Sequence, residues 1–356
     1  MAQDQDFAAS LGELYGTPLP PYAVEKLMGD ASSRRYYRVT VHASPANRPD
    51  SVVIMQLPDD AFASDEGGAR VDASRLPFLE VGDLLSGAGI RVPEVYVENL
   101  DRGQLVLEDL GPTTFEQHLR TRSQSEWESS YGRAVDLLVE IHERCASPPT
   151  ESVVARRRFD RDLLMWELDH FREWGLEGLF GQGDDSEAKL LDEAWERAVN
   201  EIAAMPHGFV HRDYQSKNLM VADDGALTVI DFQDALMGPR VYDLVALLCD
   251  SYVALDAALQ DTLIARYAAA RRIPLDLVRR EFWAVALHRK LKDAGRFVFI
   301  DRVRGNPTFL QWYPQTLVYV GRAIEALGGF DALDQLLRAR IPGFPGSVEK
   351  PSPAME

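Results

Sequence analysis

Residues 208–235 read GFVHRDYQSKNLMVADDGALTVIDFQDA and form a short β-rich island between long stretches of helical pattern. The letters HRDYQSKN end at Asn218 and match the pattern H-R-D-x-x-x-x-N, and Asp231 follows later in the island with a phenylalanine next to it. Residues 219–221 and 227–230 read as two strands joined through Asp-Asp-Gly, which is typical of a hairpin. The hairpin would return Asp231 to the neighbourhood of Asn218, so polar residues distant in sequence are predicted to converge.

The residue types in this pattern indicate phosphoryl transfer. That chemistry needs a carboxylate that orients the attacking hydroxyl or accepts its proton, and Asp213 is the candidate. It also needs oxygen ligands for Mg²⁺, a hard cation, and Asn218 and Asp231 are predicted to supply them. Taken one at a time, these residues could simply cap turns, but their joint occurrence around a hairpin favours catalysis. His211 is predicted to hold the loop through backbone hydrogen bonds.

The pattern of elements changes along the chain and predicts an α+β fold with two lobes. Residues 1–110 are rich in strand signals and are predicted to form a nucleotide-binding lobe. Residues 111–340 are mostly helical in pattern and are predicted to carry catalysis and substrate binding. Residues 341–356 are rich in Pro, Gly and Ser and are predicted to be a mobile tail. Paired strands are expected at 36–43 and 51–58.

The formal net charge of −18 makes nucleic acids and anionic membranes improbable partners, because their phosphates would be repelled. The same charge would oppose an anionic nucleotide, so local cations or Mg²⁺ must reverse the field at an ATP site. The N-terminus lacks the basic start and apolar run of a signal peptide, and no stretch is long enough to span a bilayer. We therefore expect a cytoplasmic protein, a monomer, with its two cysteines reduced.

With these residues in view, the chain resembles the aminoglycoside phosphotransferase family over nearly its whole length. The likeness rests on HRDYQSKN, on the Asp231-Phe232 pair and on GPRVYDLVALL, whose Asp243 matches a helix start of that family. The resemblance implies a protein-kinase-like bilobal fold, with a β-rich N-lobe and a mostly helical C-lobe. It also implies ATP and Mg²⁺ as cofactors, and a bracing role for Asp243 under the catalytic loop.

Further stretches resemble one bacterial branch of the family, the anomeric kinases of N-acetylmuramate and N-acetylglucosamine. These are GDASSRRYYRV, VVIMQLP, FDRDLLMWELDHFREW and WYPQTLVYV. The resemblance therefore implies a sugar substrate phosphorylated on its anomeric C1 hydroxyl in cell-wall sugar recycling.

The nucleotide contacts follow from the same resemblance. The hydroxyls of Ser32 and Ser33 and the guanidinium of Arg34 are expected at the phosphates. Backbone groups near Glu108 and Leu110 are expected to meet the adenine. An ordinary turn, a solvated arginine and a plain strand end remain the alternatives for these positions.

One position departs from the kinase pattern. Kinases place a lysine on the third strand, and Gln56 stands there instead. Glu80 is the helix glutamate that would have paired with that lysine. The loss could indicate a binding module or an inactive scaffold, but Asp213, Asn218 and Asp231 are all present and favour an active enzyme.

For the acceptor, an anomeric sugar is the first hypothesis. Asp213 would accept the proton of the C1 hydroxyl, and the sugar is expected to contact polar groups of the helical lobe, namely Gln233, Asp234, Glu167 and Arg240. Polar residues on helices are more often simply solvated, and that alternative stays open for each of them.

The second hypothesis is an aminoglycoside or amino-alcohol kinase, which would need an acidic C-terminal lobe to bind a cation. Residues 279–304 instead carry eight basic residues against three acidic ones. Arg289, Lys292 and Arg296 would share one helix face there. Such a face suits a neutral or carboxylate-bearing sugar, including the lactyl carboxylate of N-acetylmuramate.

Overall fold

The structure is a computed structural model that describes residues 6–27, 34–58 and 75–353. Ser32 and Ser33, which were predicted to meet the phosphates, lie outside these described residues. Within the described part, no helix is both long enough and apolar enough to cross a membrane.

The chain divides by packing into two compact units. The N-terminal unit comprises residues up to 113 together with 220–233, and the C-terminal unit comprises 114–219 together with the residues from 234 onward. This division differs from a single boundary at residue 110, because the hairpin of the β-rich island packs with the N-terminal unit.

A five-stranded antiparallel sheet forms the N-terminal unit. Its strands are Tyr22–Lys26 (β1), Arg35–Val41 (β2), Ser51–Gln56 (β3), Val95–Asn99 (β4) and Gln104–Glu108 (β5). The spatial order is β1-β2-β3-β5-β4. Its described residues also form the α-helices Ala8–Tyr15 (α1) and Pro77–Gly87 (α2) and a 3-10 turn at Leu100–Arg102.

One face of this sheet is buried against α1. Successive side chains of a strand point to opposite faces, so Val52 and Ile54 of β3 share the buried face. Leu11 of α1 packs on that face with Val39 and Val106 from the neighbouring strands. The predicted strand pair at 36–43 and 51–58 is thereby confirmed.

Strand β1 lies in a Pro-rich stretch, residues 17–28, that reads TPLPPYAVEKLM and was not among the predicted strands. The strand begins directly after Pro21 and, among the residues that the structure describes, pairs with β2 alone, at the edge of the sheet. Its residues are mostly exposed, so it lacks the alternating apolar pattern that marks a half-buried strand.

Helices make up most of the C-terminal unit. They are Phe115–Arg120 (α3), Gln124–Arg144 (α4), Val153–Arg156 (α5), Arg161–His170 (α6), Gly178–Phe180 (α7), Asp185–Ala203 (α8), Tyr242–Leu248 (α9), Ala257–Ala270 (α10), Leu275–Arg304 (α11), Tyr313–Leu327 (α12) and Asp331–Arg340 (α13). Phe171–Glu177 forms a π-helical turn after α6, and 3-10 turns lie at Ser216–Asn218 and Pro307–Trp312.

Side-chain caps explain where several of these helices begin. The carboxylate of Asp160 accepts from the backbone of α6, that of Asp184 from α8 and that of Asp256 from α10. Thr114 and Gln117 form a reciprocal capping box at the start of α3.

Helix α11 is the centre of the C-terminal unit and touches the π-helical turn at very close range. A Cβ placed on Gly295 would lie 2.7 Å from the Cα of Phe171 and 2.8 Å from the carbonyl oxygen of His170. Only glycine permits this approach, which fixes the depth at which α11 is buried.

The short strands of the island complete the fold. His207–Val210 (β6) pairs antiparallel with Leu236–Pro239 (β9), while Leu219–Val221 (β7) and Leu227–Val229 (β8) form the predicted hairpin. Its turn contains Gly225 at φ +83°, and the Val229 N–H donates to the carbonyl of Arg91 at 3.0 Å. That bond is one reason why the hairpin belongs to the N-terminal unit.

The segment that follows α13 begins with buried residues. Ile341 is completely buried and Phe344 is nearly so. The predicted tail therefore starts with side chains that belong to the core of the C-terminal unit.

Candidate active site

Asp243 holds the catalytic loop of the C-terminal unit. Its carboxylate, completely buried at the start of α9, accepts hydrogen bonds from the backbone N–H groups of His211 at 2.7 Å and Arg212 at 2.9 Å. Arg212 has φ +82°, a left-handed conformation that is strained for a residue with a side chain. The bonds to Asp243 stabilise this conformation. The bracing role predicted for Asp243 is confirmed.

His211 contributes from the other side of the loop. It is buried, and its Nδ1 accepts a hydrogen bond from the backbone N–H of Asp213 at 3.2 Å. This contact confirms the predicted loop-holding role of His211.

Arg289 lies directly behind the candidate base. Its guanidinium donates to the carbonyl of Arg212 at 2.8 Å and lies 3.3 Å from the carboxylate of Asp213. The Arg289 side chain is completely buried, whereas 30% of the Asp213 side chain is exposed. A fixed cation behind a partly exposed carboxylate restricts the orientation of that carboxylate.

A buried charge cluster on α11 surrounds Arg289. Asp293 lies 2.6 Å from the Nζ of Lys290, 3.4 Å from that of Lys292 and 3.9 Å from the Nε of Arg289. Burial alone would raise the pKa of Asp293, but these three cations hold it well below its usual range. Arg289 and Lys292, which were predicted to share a basic face of α11, are therefore both buried in the interior.

Glu167 occupies a different place from the predicted one. It is completely buried on α6, and its carboxylate lies 3.2 Å from the guanidinium of Arg212 and 3.7 Å from the ring of His288. Burial lowers the pKa of His288. Glu167 therefore supports the catalytic loop from the interior and does not present its carboxylate to a substrate. A polar helix residue looks the same in sequence whether it faces solvent or a buried arginine.

Asn218 is anchored to the same loop. Its Nδ2 donates to the backbone carbonyl of Asp213 at 2.8 Å, which fixes the amide plane and directs Oδ1 away from that carbonyl. Next to it, Ser216 donates through both its backbone N–H and its hydroxyl to Asp250. Burial raises the pKa of Asp250 despite these bonds. Nothing in the sequence had singled out Asp250.

In the N-terminal unit, Asp231 follows β8 with φ +64°, a second strained position. Gln233 is buried, and its Nε2 donates to Asp231 Oδ1 at 2.9 Å. Phe232 stacks on Phe78 of α2 with ring centroids 5.0 Å apart. This bond orients the Asp231 carboxylate, and the predicted contact of Gln233 with the substrate stays a prediction.

Of the other two predicted substrate residues, Arg240 lies in the C-terminal unit and pairs with Glu281. It forms a bidentate ion pair with Glu281 at 2.7 and 2.8 Å, and this hydrogen-bonded contact raises the pKa of Arg240. The substrate role of Arg240 stays a prediction. Asp234 is partly exposed and keeps that role as a prediction.

The predicted adenine segment ends β5. The Glu108 N–H donates to the carbonyl of Glu94 at 2.8 Å, and its carboxylate pairs with Arg91. Burial alone would raise the pKa of Glu108, but the Arg91 hydrogen bond lowers it. Leu110 is partly exposed two residues further on.

The phosphate role of Arg34 stays a prediction, and Gln56 stands where kinases have a lysine. Arg34 is buried just before β2. The amide of Gln56 donates to the carbonyls of Arg102 at 3.2 Å and Gly103 at 3.0 Å, so it tethers the β4–β5 turn. The contact between Arg38 and Asp109, at 2.7 and 2.9 Å, was not anticipated and holds the segment that leads out of the sheet.

A family model described as "Phosphotransferase enzyme family" matches residues 23–283. The chain belongs to this family. The predicted family, the enzyme class and the use of a nucleotide are thereby confirmed, and the phosphotransferase has the protein-kinase-like α+β fold that its sequence indicated.

Curated relatives share most of the length of the phosphotransferase. An N-acetylmuramate/N-acetylglucosamine kinase of Pseudomonas aeruginosa is 29% identical over 330 residues, covering 90% of this chain and 89% of the relative. One of Neisseria meningitidis serogroup B is 31% identical over 308 residues, covering 82% and 83%.

Solved structures show the same fold at low identity. The gentamicin–APH(2")-IIa complex superposes with a TM-score of 0.59 at 14% identity, covering 92% of this chain and 96% of that one. Choline kinase LicA of Streptococcus pneumoniae gives a TM-score of 0.54 at 14% identity, covering 90% and 97%. At this identity the likeness concerns the fold alone.

The two residues predicted to bind the metal are oxygen donors, the type of ligand that a hard divalent cation prefers. In the described part of the chain, no group of three or more His, Cys, Asp and Glu side chains could hold a metal by itself. Mg²⁺ is ordinarily bound by one or two protein oxygens together with substrate phosphates and water. Asp231 of the N-terminal unit offers a carboxylate and Asn218 of the C-terminal unit an amide oxygen, and the metal role of both stays a prediction.

Proposed function

We propose that this phosphotransferase is an ATP-dependent kinase of the anomeric C1 hydroxyl of N-acetylmuramate and N-acetylglucosamine. The observation that carries the proposal is the agreement of four curated relatives, each 27–31% identical over 82–90% of this chain and each named as a kinase of these two sugars. The use of ATP implies a cytoplasmic site of action, and recycling of cell-wall sugars is the process that such a reaction would serve.

Asp213 is the proposed base. The C1 hydroxyl would give its proton to the Asp213 carboxylate while its oxygen attacks the γ-phosphorus, and the bond to the β-phosphate oxygen breaks to release ADP. Support comes from the loop that carries Asp213. Asp243 and His211 fix its backbone, and Arg289 fixes its carboxylate, so little reorganisation is needed at the moment of reaction.

Asn218 and Asp231 are the proposed metal ligands. When bound, Mg²⁺ supplies the positive charge that neutralises the phosphates. Asn218 is oriented by its bond to the Asp213 carbonyl, and Asp231 by the amide of Gln233. Gln56 stands where other kinases have a strand lysine, and its amide tethers a turn. Neutralisation of the phosphate charge would therefore depend more heavily on the metal than it does in those kinases.

A panel of acceptors tests the proposal. ATP consumption should be measured with N-acetylmuramate, N-acetylglucosamine, glucose, choline and gentamicin, with the Asp213→Asn variant as the inactive control. We expect turnover with the two N-acetylated sugars and little with the rest. Turnover confined to gentamicin or choline would refute the sugar assignment and leave the phosphotransferase assignment standing.

A further inference from the structure

The 3-10 turn Ser216–Asn218 follows the candidate base and ends on the predicted metal ligand Asn218. The Asn218 N–H ties this turn to the preceding loop by donating to the carbonyl of Gln215 at 2.9 Å. A 3-10 turn is short, and its own hydrogen bonds have poorer geometry than those of an α-helix. The position of Asn218 therefore depends on groups that hold the turn from outside.

The carboxylate of Asp250 holds the first residue of this turn. One of its oxygens accepts from the backbone N–H of Ser216 at 2.9 Å and also from the Ser216 hydroxyl. The other oxygen accepts from the backbone N–H of Tyr252 at 2.9 Å. Asp250 and Ser216 are both completely buried, so bulk water does not compete for these bonds.

Tyr252 extends the same support to the middle of the turn. Its ring centroid lies 3.9 Å from the Lys217 Nζ, within the range of a cation–π contact. Trp312 packs edge-on against the Tyr252 ring at 5.3 Å. Because Asp250 holds the backbone of Tyr252, one buried carboxylate supports two successive residues of the turn.

Asp250 has a counterpart in Asp243, earlier in the chain. Asp243 lies at the start of α9 and holds the loop before the base through two backbone N–H groups. Asp250 lies just beyond the end of α9 and holds the loop after the base. The part of the loop that Asp250 holds is the part that ends on Asn218, so loss of Asp250 should affect the metal rather than the base.

The contacts of Asp250 require a carboxylate. The Ser216 N–H, the Ser216 hydroxyl and the Tyr252 N–H all donate to it, and its two oxygens accept all three. The amide of an asparagine would replace one oxygen with an NH₂ donor, and in either orientation that donor would face another donor. Buried donors left without an acceptor are unfavourable, so the turn would shift until they were satisfied.

We propose that Asp250 is a positioning residue for the metal, which fixes Ser216 and thereby holds the Asn218 amide in the orientation in which it would bind Mg²⁺. This inference rests on the proposed function, in which Asn218 is a metal ligand. Asp250 acts through Asn218 and is not itself a ligand. Residues that orient a metal ligand from outside commonly change metal affinity about tenfold to a hundredfold when they are substituted.

The test measures nucleotide binding with and without the metal, so it needs neither an acceptor nor turnover. ADP is titrated calorimetrically into the wild type and Asp250→Asn in the presence of Mg²⁺, and again with a chelator in excess. We expect Asp250→Asn to weaken binding about tenfold to a hundredfold in Mg²⁺ and to leave binding in the chelator nearly unchanged. Asn218→Ala gives the reference loss for removal of the ligand itself.

Ser216→Ala is the milder variant, and it carries the test if Asp250→Asn does not fold. It removes the hydroxyl bond to Asp250 and keeps the backbone bond, so binding in Mg²⁺ should weaken about twofold to tenfold. Ser251→Ala is the matched control. Ser251 is also buried, but its hydroxyl lies 2.7 Å from that of Thr316, and its loss should leave both titrations unchanged.

Hydrogen exchange provides a second measurement. In Asp250→Asn, the backbone amides of residues 215–219 should exchange faster, while those of residues 211–212 stay protected by Asp243. Faster exchange throughout the C-terminal unit would indicate general destabilisation and would contradict a local positioning role.

Two results of the titrations would overturn the inference. One is an equal loss in Mg²⁺ and in chelator for Asp250→Asn and Ser216→Ala, and the other is an effect of Ser251→Ala as large as that of Ser216→Ala. A loss in Asn218→Ala without any loss in Ser216→Ala and Asp250→Asn would also refute the role of Asp250 alone. If Asn218→Ala itself shows no loss that depends on Mg²⁺, the proposed metal role fails and the inference fails with it.

Discussion

In the C-terminal unit, the completely buried guanidinium of Arg289 lies next to the carboxylate of Asp213. Arg289 also belongs to a buried cluster with Lys290, Lys292 and Asp293. In the N-terminal unit, Asp231 is contacted by the neutral amide of Gln233, and the ion pair of Arg91 with Glu108 lies at a surface where 52% of the arginine side chain is exposed. The C-terminal unit therefore holds a cluster of charges in its core, whereas the Arg91–Glu108 pair of the N-terminal unit lies at its surface.

The difference shows how each unit is expected to respond to substitution. Removing one partner of a buried ion pair leaves an uncompensated charge in a medium of low polarity, whereas an exposed pair is screened by water. Matched substitutions in the two units should consequently lower the free energy of unfolding by different amounts. Substitutions of the two candidate carboxylates should also differ, one affecting the chemical step and the other the binding of Mg²⁺-ATP.

The largest expected effect concerns the two candidate carboxylates. Asp213→Asn should lower turnover by about 10²–10⁴ and leave ATP affinity nearly intact, because loss of a general base affects the chemical step. Asp231→Ala should abolish turnover and weaken ATP binding far more with Mg²⁺ than with a chelator present. Steady-state kinetics and calorimetric titrations measure both. Normal turnover in the first variant, or equal losses in the two titrations of the second, would contradict these roles.

A matched pair of neutral substitutions compares the stability of the two charge sites. Asp293→Asn should lower the free energy of unfolding by about 3–5 kcal/mol, since Arg289, Lys290 and Lys292 remain buried without their anion. Glu108→Gln should cost less than about 1 kcal/mol, because Arg91 is half exposed. Urea unfolding of both variants tests this. Similar losses in the two would show that burial of charge does not distinguish the units.

A third effect concerns the packing on which the buried cluster depends. Gly295→Ala should cost about 1–3 kcal/mol, because its Cβ would overlap the backbone of Phe171 at 2.7 Å. The matched control is Gly12→Ala on α1, where a Cβ meets nothing within 4 Å. Thermal unfolding of the two variants provides the measurement, and an unaffected Gly295→Ala variant would show that α11 can shift outward without cost.

The smallest effect is expected in acid. The pKa of Asp293 lies below its ordinary value of 3.8 in the folded protein, so its contribution to stability is complete above pH 3.8 and is lost as the pH falls below that value. The wild type and Asp293→Asn should therefore converge in stability in acid, with a slope of at most about 1.4 kcal/mol per pH unit. A difference that stays constant from pH 6 to pH 3 would contradict the assignment of charge to Asp293.

Local patterns made much of this molecule predictable from its sequence. The catalytic loop, the hairpin and the carboxylate that follows it lie within a short island, and their spacing alone identified Asp213, Asn218 and Asp231 as candidates. The role of Asp243 was also within reach, because the family resemblance placed it at a helix start. The division into a β-rich and a helical part followed from the spacing of apolar residues, which changes from the period of strands to that of helices along the chain.

What the sequence could not reveal depends on contacts between distant segments. Glu167 and Arg240 are charged residues whose partners, Arg212 and Glu281, lie far away in the chain. The sequence therefore did not show whether their side chains face solvent, a substrate or the interior. Arg289 stood out as part of a basic run, but its place behind Asp213 needed the packing of α11. Asp250 carried no sequence signal, although it ties Ser216 to Tyr252.

The central claim is phosphorylation of the anomeric hydroxyl, and the chemistry of the product tests it most directly. N-acetylglucosamine should be incubated with the enzyme, ATP and Mg²⁺, and the reducing-sugar reactivity of the product measured before and after mild acid treatment, with Asp213→Asn as the control. Phosphorylation at C1 removes the free reducing end, so we expect reactivity to fall in step with ATP consumption and to return when acid releases the phosphate. A phosphorylated product that keeps its full reducing reactivity would contradict the account.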